Sequence, residues 1–453
     1  MAPTVRMRAI MLTFSVLGAC HSATPAAPSA SADATSSDGT TAAQDIVSLG
    51  DSPTADTAKA DAASGDVPTT SGDAQAFVPT VHPDLPQVLN MGGKVLTNPR
   101  VVPVLYSDDP YGADVQKLLQ QIAASTYWPT IASEYGVGPL QVGSPILQSG
   151  KAPAKLAEGD ALAWLDKGLA DPSTPWGKVD ANTIYMLVIP PQTDFISGTG
   201  SDAVSCCADR GGYHDEVQLA GTLVPYAVVC ACAYPELGLN ALDDLTSTIA
   251  HELIEAATDP FSVSAPAFSQ QSNADAAWTD ISDGEVGDLC EFNQDSNIHV
   301  SGIDYLVTRS WSNLAAAAGH EPCLPSPDPG PYFAAAPLVK DTVNILDFLG
   351  NPVQAKGVKI GLGQSRTVDV QLFSDGPGSG PWQVKAYDFE QEIQGQAKPK
   401  LAFTWDKSTG NNGDVLHLTI QVLATDSNWG GELFLIESKL GSRTSEWMGV
   451  VGQ

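Results

Sequence analysis

Apolar residues change their spacing twice along this chain. From residue 21 to about residue 82 large ones are sparse, because 21–82 is built mainly from Ala, Ser, Thr, Asp, Gly and Pro. Such a stretch buries too little surface to offset the entropy of ordering, which predicts a disordered tether over 21–82. From 83 to 325, unbroken apolar runs alternate with apolar residues at helical spacing. Runs at 101–106 and 183–189 predict buried strands, the second stopped by Pro190 and Pro191. Val115, Leu118, Leu119 and Ile122 predict one face of a helix over 114–124. Helix and turn are expected over 127–136, a helix over 156–169 and a strand over 223–231. This mixture predicts one α/β or α+β domain.

After Cys323 the prolines between 325 and 331 mark a linker. Beyond it the period becomes two. Val358/Ile360/Leu362, Val368/Val370/Leu372, Trp382/Val384/Ala386, Leu401/Phe403/Trp405 and Leu416/Leu418/Ile420/Val422 each alternate with polar residues. Turn signals separate them, which predicts a cysteine-free immunoglobulin-like β-sandwich over 331–453. The chain is therefore multidomain.

The chemistry gathers on one helix. Leu242, Leu245, Ile249, Leu253 and Ala257 form its buried stripe. His251 and Glu255 then stand one turn apart on another edge, where an imidazole and a carboxylate can share a metal ion. Glu252 lies about 100° around the helix from His251, suited to a general base acting on water rather than to a ligand. This is the spacing of the zinc-peptidase His-Glu-x-x-His helix, with Glu255 where the second histidine would stand. The alternative is a solvated helix edge carrying charges. Some 30 residues later, glycines bracket an acidic loop and let Glu285, or Asp288, bend back to complete the ligand set. Asp259 lies about 12 Å beyond His251 along a helix, so it fits a supporting or alternative role. His214, expected in a loop before the 223–231 strand, is a candidate to orient substrate or steady an oxyanion, or else an ordinary hydrogen-bonded histidine. His299, His320 and His417 carry no ligand pattern. One divalent cation is implied. Zinc is favoured by the helix, while oxygen-rich ligation also suits manganese or calcium.

Export is indicated at the start of the chain. Arg6 and Arg8 precede a short apolar run, and Leu17-Gly18-Ala19-Cys20 resembles a bacterial lipobox. Residues 1–20 are then a lipoprotein signal peptide, with Cys20 as the lipid anchor; an ordinary cleaved signal is the alternative. Anchoring of this kind implies a bacterial cell envelope protein, at the outer membrane or cell surface. Six cysteines remain, an even number that suits disulfides in an exported chain. Neighbouring cysteines pair with each other only under strain. Cys206 and Cys207 are therefore expected to pair with Cys230 and Cys232, and Cys290 with Cys323. A four-cysteine zinc site is the rival. A net charge of −30 argues against nucleic acid and anionic membrane surfaces as electrostatic partners.

Several motifs occur in a fixed order: Gly-Tyr-His214, the run from Val224 to Ala233, the helix from His251 to Pro260, Gly-Glu-Val-Gly-Asp-Leu-Cys290, and Arg-Ser-Trp311-Ser-Asn313 followed by Cys323. Together they resemble bacterial relatives of the phosphate-induced, EXORDIUM-like extracellular family, well over 200–325 and loosely over 85–190. The resemblance implies an extracellular zincin-like domain over 83–325. Plant members that it resembles lack the helix histidine and glutamates, whereas His251, Glu252 and Glu255 are present here. Two functional expectations follow. One is a metal-dependent hydrolase, a zincin-like peptidase acting on protein or cell-wall material. The other is a non-catalytic surface protein that binds protein or glycan and carries a structural cation.

Overall fold

A computed structural model describes residues 77–453, apart from 201–202, 236–237, 271, 280–283, 292, 294, 347–350, 379, 393–397, 426–429 and 453. The signal peptide expected over 1–20, with Cys20, and the expected 21–82 tether as far as residue 76 lie outside the described residues. Among the described residues no helix is long and apolar enough to cross a membrane.

The first region is built on a mixed sheet in the order Gln141–Val142, Arg100–Tyr106, Thr183–Ile189, Thr222–Cys230, Gly212–Leu219. The first four run parallel and the last is an antiparallel edge. Both faces of this sheet are covered, which explains why its central strands read as unbroken apolar runs. Val101, Leu105, Ile184, Met186, Val188, Ala227 and Val229 point to one side. There they meet helices Gly112–Ala124 and Ala241–Thr258. Val102, Val104, Tyr185, Leu187, Tyr226 and Val228 point to the other, against Leu165 and Leu169 of helix Glu158–Ala170. Strict alternation of side chains along each strand thus separates two cores.

The second region is a two-sheet sandwich. One sheet runs Phe333–Pro337, Ser365–Ser374, Val415–Val422, Leu401–Trp405. The other runs Asp341–Leu346, Pro352–Lys359, Arg443–Gly452, Glu432–Leu440, Trp382–Asp388, Thr409–Gly410. Set aside the hairpin 341–359 and the short 409–410 strand, and the strands fall in the A-B-E-D and G-F-C orders of an immunoglobulin sandwich. The hairpin joins the second sheet through a parallel pair, Val358 with Val451.

Two sequence expectations need correction here. The strand expected at Val358/Ile360/Leu362 ends at Lys359, and Leu362 is 59% exposed. The last two strands escaped the alternation pattern because they bury polar residues, Glu432, Glu437, Ser438, Ser445 and Glu446, within otherwise apolar runs.

The two regions meet through aromatic rings. Trp278 lies edge-on to Trp311 of the first region at 5.9 Å and to Trp447 of the second at 5.6 Å. Buried residues of both belong to one continuous apolar cluster.

Candidate metal centre

The helix Ala241–Thr258 begins at Asn240, whose side chain accepts hydrogen bonds from the Leu242 and Asp243 amides. It ends at Asp259, ahead of Pro260. Leu245, Ile249, Leu253 and Ala257 are fully buried against the sheet, as their spacing predicts. That seating turns His251 and Glu255 toward the edge strand and the acidic loop.

His214 reaches the same place from the sheet. The hairpin register sets it opposite Ala227, whose side chain faces the helix layer, while Tyr213 opposes Val228 on the far face. His214 is therefore a strand residue, not the loop residue expected. Its side chain is only 5% exposed. Close approach of strand and helix depends on Gly212, where a Cβ would come within 2.6 Å of Thr248 and 2.7 Å of Glu252.

The loop after Gly284 supplies the remaining carboxylates. Val286 is fully buried in the main core, and its carbonyl accepts the Trp311 amide at 2.8 Å. Cys290 is tied to Cys323. Between these anchors, the Glu285 amide donates to Asp288 Oδ2 at 2.9 Å, and the Gly287 amide donates to Glu255 Oε1 at 3.1 Å. Gly287 passes so close that a Cβ there would lie 2.6 Å from Glu255 Oε1 and 2.9 Å from the His251 ring. The other cysteines pair as Cys206 with Cys230 and Cys207 with Cys232, in keeping with the expected partners.

The result is two groups of potential ligands that share one residue: His251, Glu255 and Asp288, and His214, Glu255 and Glu285. His251 Nε2 lies 3.2 Å from Glu255 Oε2 and 3.3 Å from Asp288 Oδ1. His214 Nδ1 lies 3.7 Å from both Glu255 Oε2 and Glu252 Oε2, and its Nε2 lies 3.6 Å from Glu285 Oε2. Donors bound at 2.0–2.2 Å to a tetrahedral ion stand about 3.4 Å apart, so the two separations from His251 Nε2 suit a shared cation, whereas His214 meets Glu255 and Glu285 through different ring nitrogens, only one of which can bind a given ion. The donor set fits as well, since imidazole and carboxylate are both common ligands for zinc. His214 Nε2 is buried and has no hydrogen-bond partner.

This differs from the expected arrangement in two respects. Asp288, rather than Glu285, joins His251 and Glu255. Glu285 instead faces His214, a residue expected to orient substrate or steady an oxyanion rather than to bind the ion. Alternation of Tyr213, Val217 and Leu219 was the available signal, because it puts His214 on the opposite face of a strand. Glu252 falls in neither group and stands beside them. Asp259 is also in neither; its Oδ1 accepts the Ala267 amide at 2.6 Å, which braces the chain after the helix. Asp280 and Asp283 of the acidic loop lie outside the described residues. His320 and His417 are exposed and face Asp375 and Asp369, and His299 is exposed.

Electrostatics in the cluster favour positive charge. Burial by itself would lower the pKa of His214, but Glu285, Glu252 and Glu255 outweigh it and push the imidazole up to about 10. His251 is raised for the same reasons, with Glu255 and Asp288 as its main partners. Burial pushes Glu255 up to about 7, with the charge of Asp288 adding to it. Glu285 is held well above the ordinary carboxylate range, again chiefly by burial. Asp288 is lowered despite its burial, because His251 donates to it and carries the compensating charge.

No family model matches this chain, and no curated protein matches it. Among solved structures it is similar to the titin M3 domain, with 11% identity over 27% of this chain and 94% of that one, at a TM-score of 0.16. The titin M4 domain is similar at 15% identity over 26% and 94%, with a TM-score of 0.15. Domains 4 and 5 of the S-layer protein SbsC are similar at 14% identity over 33% and 81%, with a TM-score of 0.16. At these scores the likenesses bear on no functional question.

Proposed function

We propose that this chain is a metal-dependent hydrolase with a zincin-like domain, a peptidase of the bacterial cell envelope anchored by a lipid on Cys20. The observation that carries the reading is the single turn on which His251 Nε2 meets Glu255 Oε2 at 3.2 Å, with Asp288 Oδ1 3.3 Å from the same nitrogen. Those three donors would hold the ion. What a divalent cation supplies at such a site is Lewis acidity toward a carbonyl oxygen and a water acidified toward neutrality. Glu252 lies one residue along the helix from His251 and outside the ligand group. Its carboxylate would take the proton from that water and hand it to the leaving amine. The Gly287 amide, by donating to Glu255 Oε1, would fix which oxygen Glu255 turns to the ion. The resemblance to the EXORDIUM-like extracellular family supports an exported setting, with protein or cell-wall glycan as the material contacted. Zinc is favoured, although a donor set rich in oxygen also suits manganese or calcium.

Burial favours one competing reading, a surface binding protein with a structural cation, since His214 and Glu255 are 5% and 4% exposed. Metal analysis of the purified full chain, run beside casein and peptidoglycan hydrolysis assays, separates the two. With Glu252→Gln, a hydrolase keeps its metal and loses about 10²- to 10⁴-fold in rate. Metal retained with no hydrolysis in the wild type leaves the binding reading, and absence of stoichiometric metal removes both.

A further inference from the structure

We infer that the centre holds two divalent cations, with Glu255 shared between a His251–Glu255–Asp288 site and a His214–Glu255–Glu285 site. This rests on the metal-centre reading above and extends it from one ion to two.

Three observations carry it. The first is distance. Ligands of one ion bound at 2.0–2.2 Å lie at most about 4.4 Å apart, twice the bond length. Each group falls within 4.8 Å, yet the two groups do not merge into one among the described residues. A single ion therefore leaves His214 and Glu285, or His251 and Asp288, without a role. Glu255 Oε2 stands between the two imidazole rings, 3.2 Å from His251 Nε2 and 3.7 Å from His214 Nδ1, while the other His214 nitrogen, Nε2, is the one that faces Glu285 and would bind the second ion.

The second is charge. The ion pairs made by Glu252, Glu255, Glu285 and Asp288 are to these two histidines. Metal binding requires neutral imidazoles. His251 is then faced by Glu255 and Asp288, and His214 by Glu252, Glu255 and Glu285, so each imidazole has carboxylates of its own with which to share a cation. A cation at each group would offset the cost of burying carboxylates there. The third is His214 Nε2, buried, without a hydrogen-bond partner and 3.6 Å from Glu285 Oε2. A buried imidazole nitrogen beside a carboxylate is a suitable ligand for a cation.

Shared coordination also suits the proposed chemistry, because paired ions about 3.5–4 Å apart can clamp both the attacking and the leaving group of a hydrolysis.

The test uses the full chain loaded with Mn²⁺ alone, stripped of excess by gel filtration and counted by mass spectrometry. Two Mn²⁺ per chain are expected, with a low-temperature paramagnetic resonance spectrum showing exchange coupling. Glu285→Gln is expected to retain one Mn²⁺, with the six-line signal of an isolated ion. One uncoupled Mn²⁺ in the wild type overturns the two-ion centre but leaves the hydrolase reading standing. No bound metal overturns both. Should Glu285→Gln fail to fold, judged by circular dichroism, the wild-type count and coupling alone decide.

Discussion

The Cys290–Cys323 disulfide should matter more for the metal centre than its distance from the ligands suggests. It closes a segment with a sequence separation of 33 residues, and both cysteines are fully buried. In the chain-entropy treatment, a loop of that length contributes about 4 kcal/mol by restricting the unfolded chain. Replacing both by alanine should lower the unfolding free energy by about that amount, as measured by urea denaturation without reductant. A local effect adds to this. Asp288 lies two residues before Cys290, and Glu285 three before that, so the bridge is one of the anchors that hold the acidic loop against the helix. Without it, Glu285 and Asp288 would have to be ordered for the proposed site to bind an ion, at an entropic cost of about 1–2 kcal/mol per residue fixed. Metal affinity is therefore expected to fall about tenfold or more while the protein remains folded. Affinity would be followed by competition with a chromogenic chelator. A stability loss under about 1 kcal/mol, or unchanged affinity in the folded double variant, would refute the anchoring role.

Three further outcomes follow from the packing. Gly287→Ala puts a Cβ 2.6 Å from Glu255 Oε1, so metal affinity should drop about 10- to 100-fold on chelator competition. Asp244 is 6% exposed with Oδ2 unpartnered, and burial pushes its pKa from 3.8 up to about 7. A carboxyl raised on folding stabilises fully below its unfolded pKa and loses that contribution as pH rises through the folded one. Stability should thus fall by about 4 kcal/mol between pH 4 and pH 8 on this group's account. Asp244→Asn, which keeps an acceptor, should flatten that slope and stabilise the chain at pH 8; denaturation across pH would check it, and a destabilised variant at pH 8 would count against the argument. Trp278→Ala removes the ring between Trp311 and Trp447 and should cost about 3 kcal/mol, read as a lower midpoint in urea.

How much of this could be read before the fold was known depends on the range of each interaction. The His251–Glu255 pair was legible because 3.6 residues per turn brings i and i+4 together in any helix. Strands 183–189 and 222–230 were legible because a strand covered on both faces has no room for polar side chains. Disulfide partners followed from what neighbouring cysteines can reach. His214 was not legible in the same way. Its place depends on the hairpin pairing Gly212–Leu219 with Thr222–Cys230, since a slip of one residue would turn its ring to the opposite face. Choosing between Glu285 and Asp288 needed more still. Spacing offered both, and the choice came from a loop pinned by buried Val286, the Trp311 amide and Cys323. Local periodicity could nominate the helix ligands, but only packing across more than thirty residues of chain could decide which carboxylate faces which imidazole.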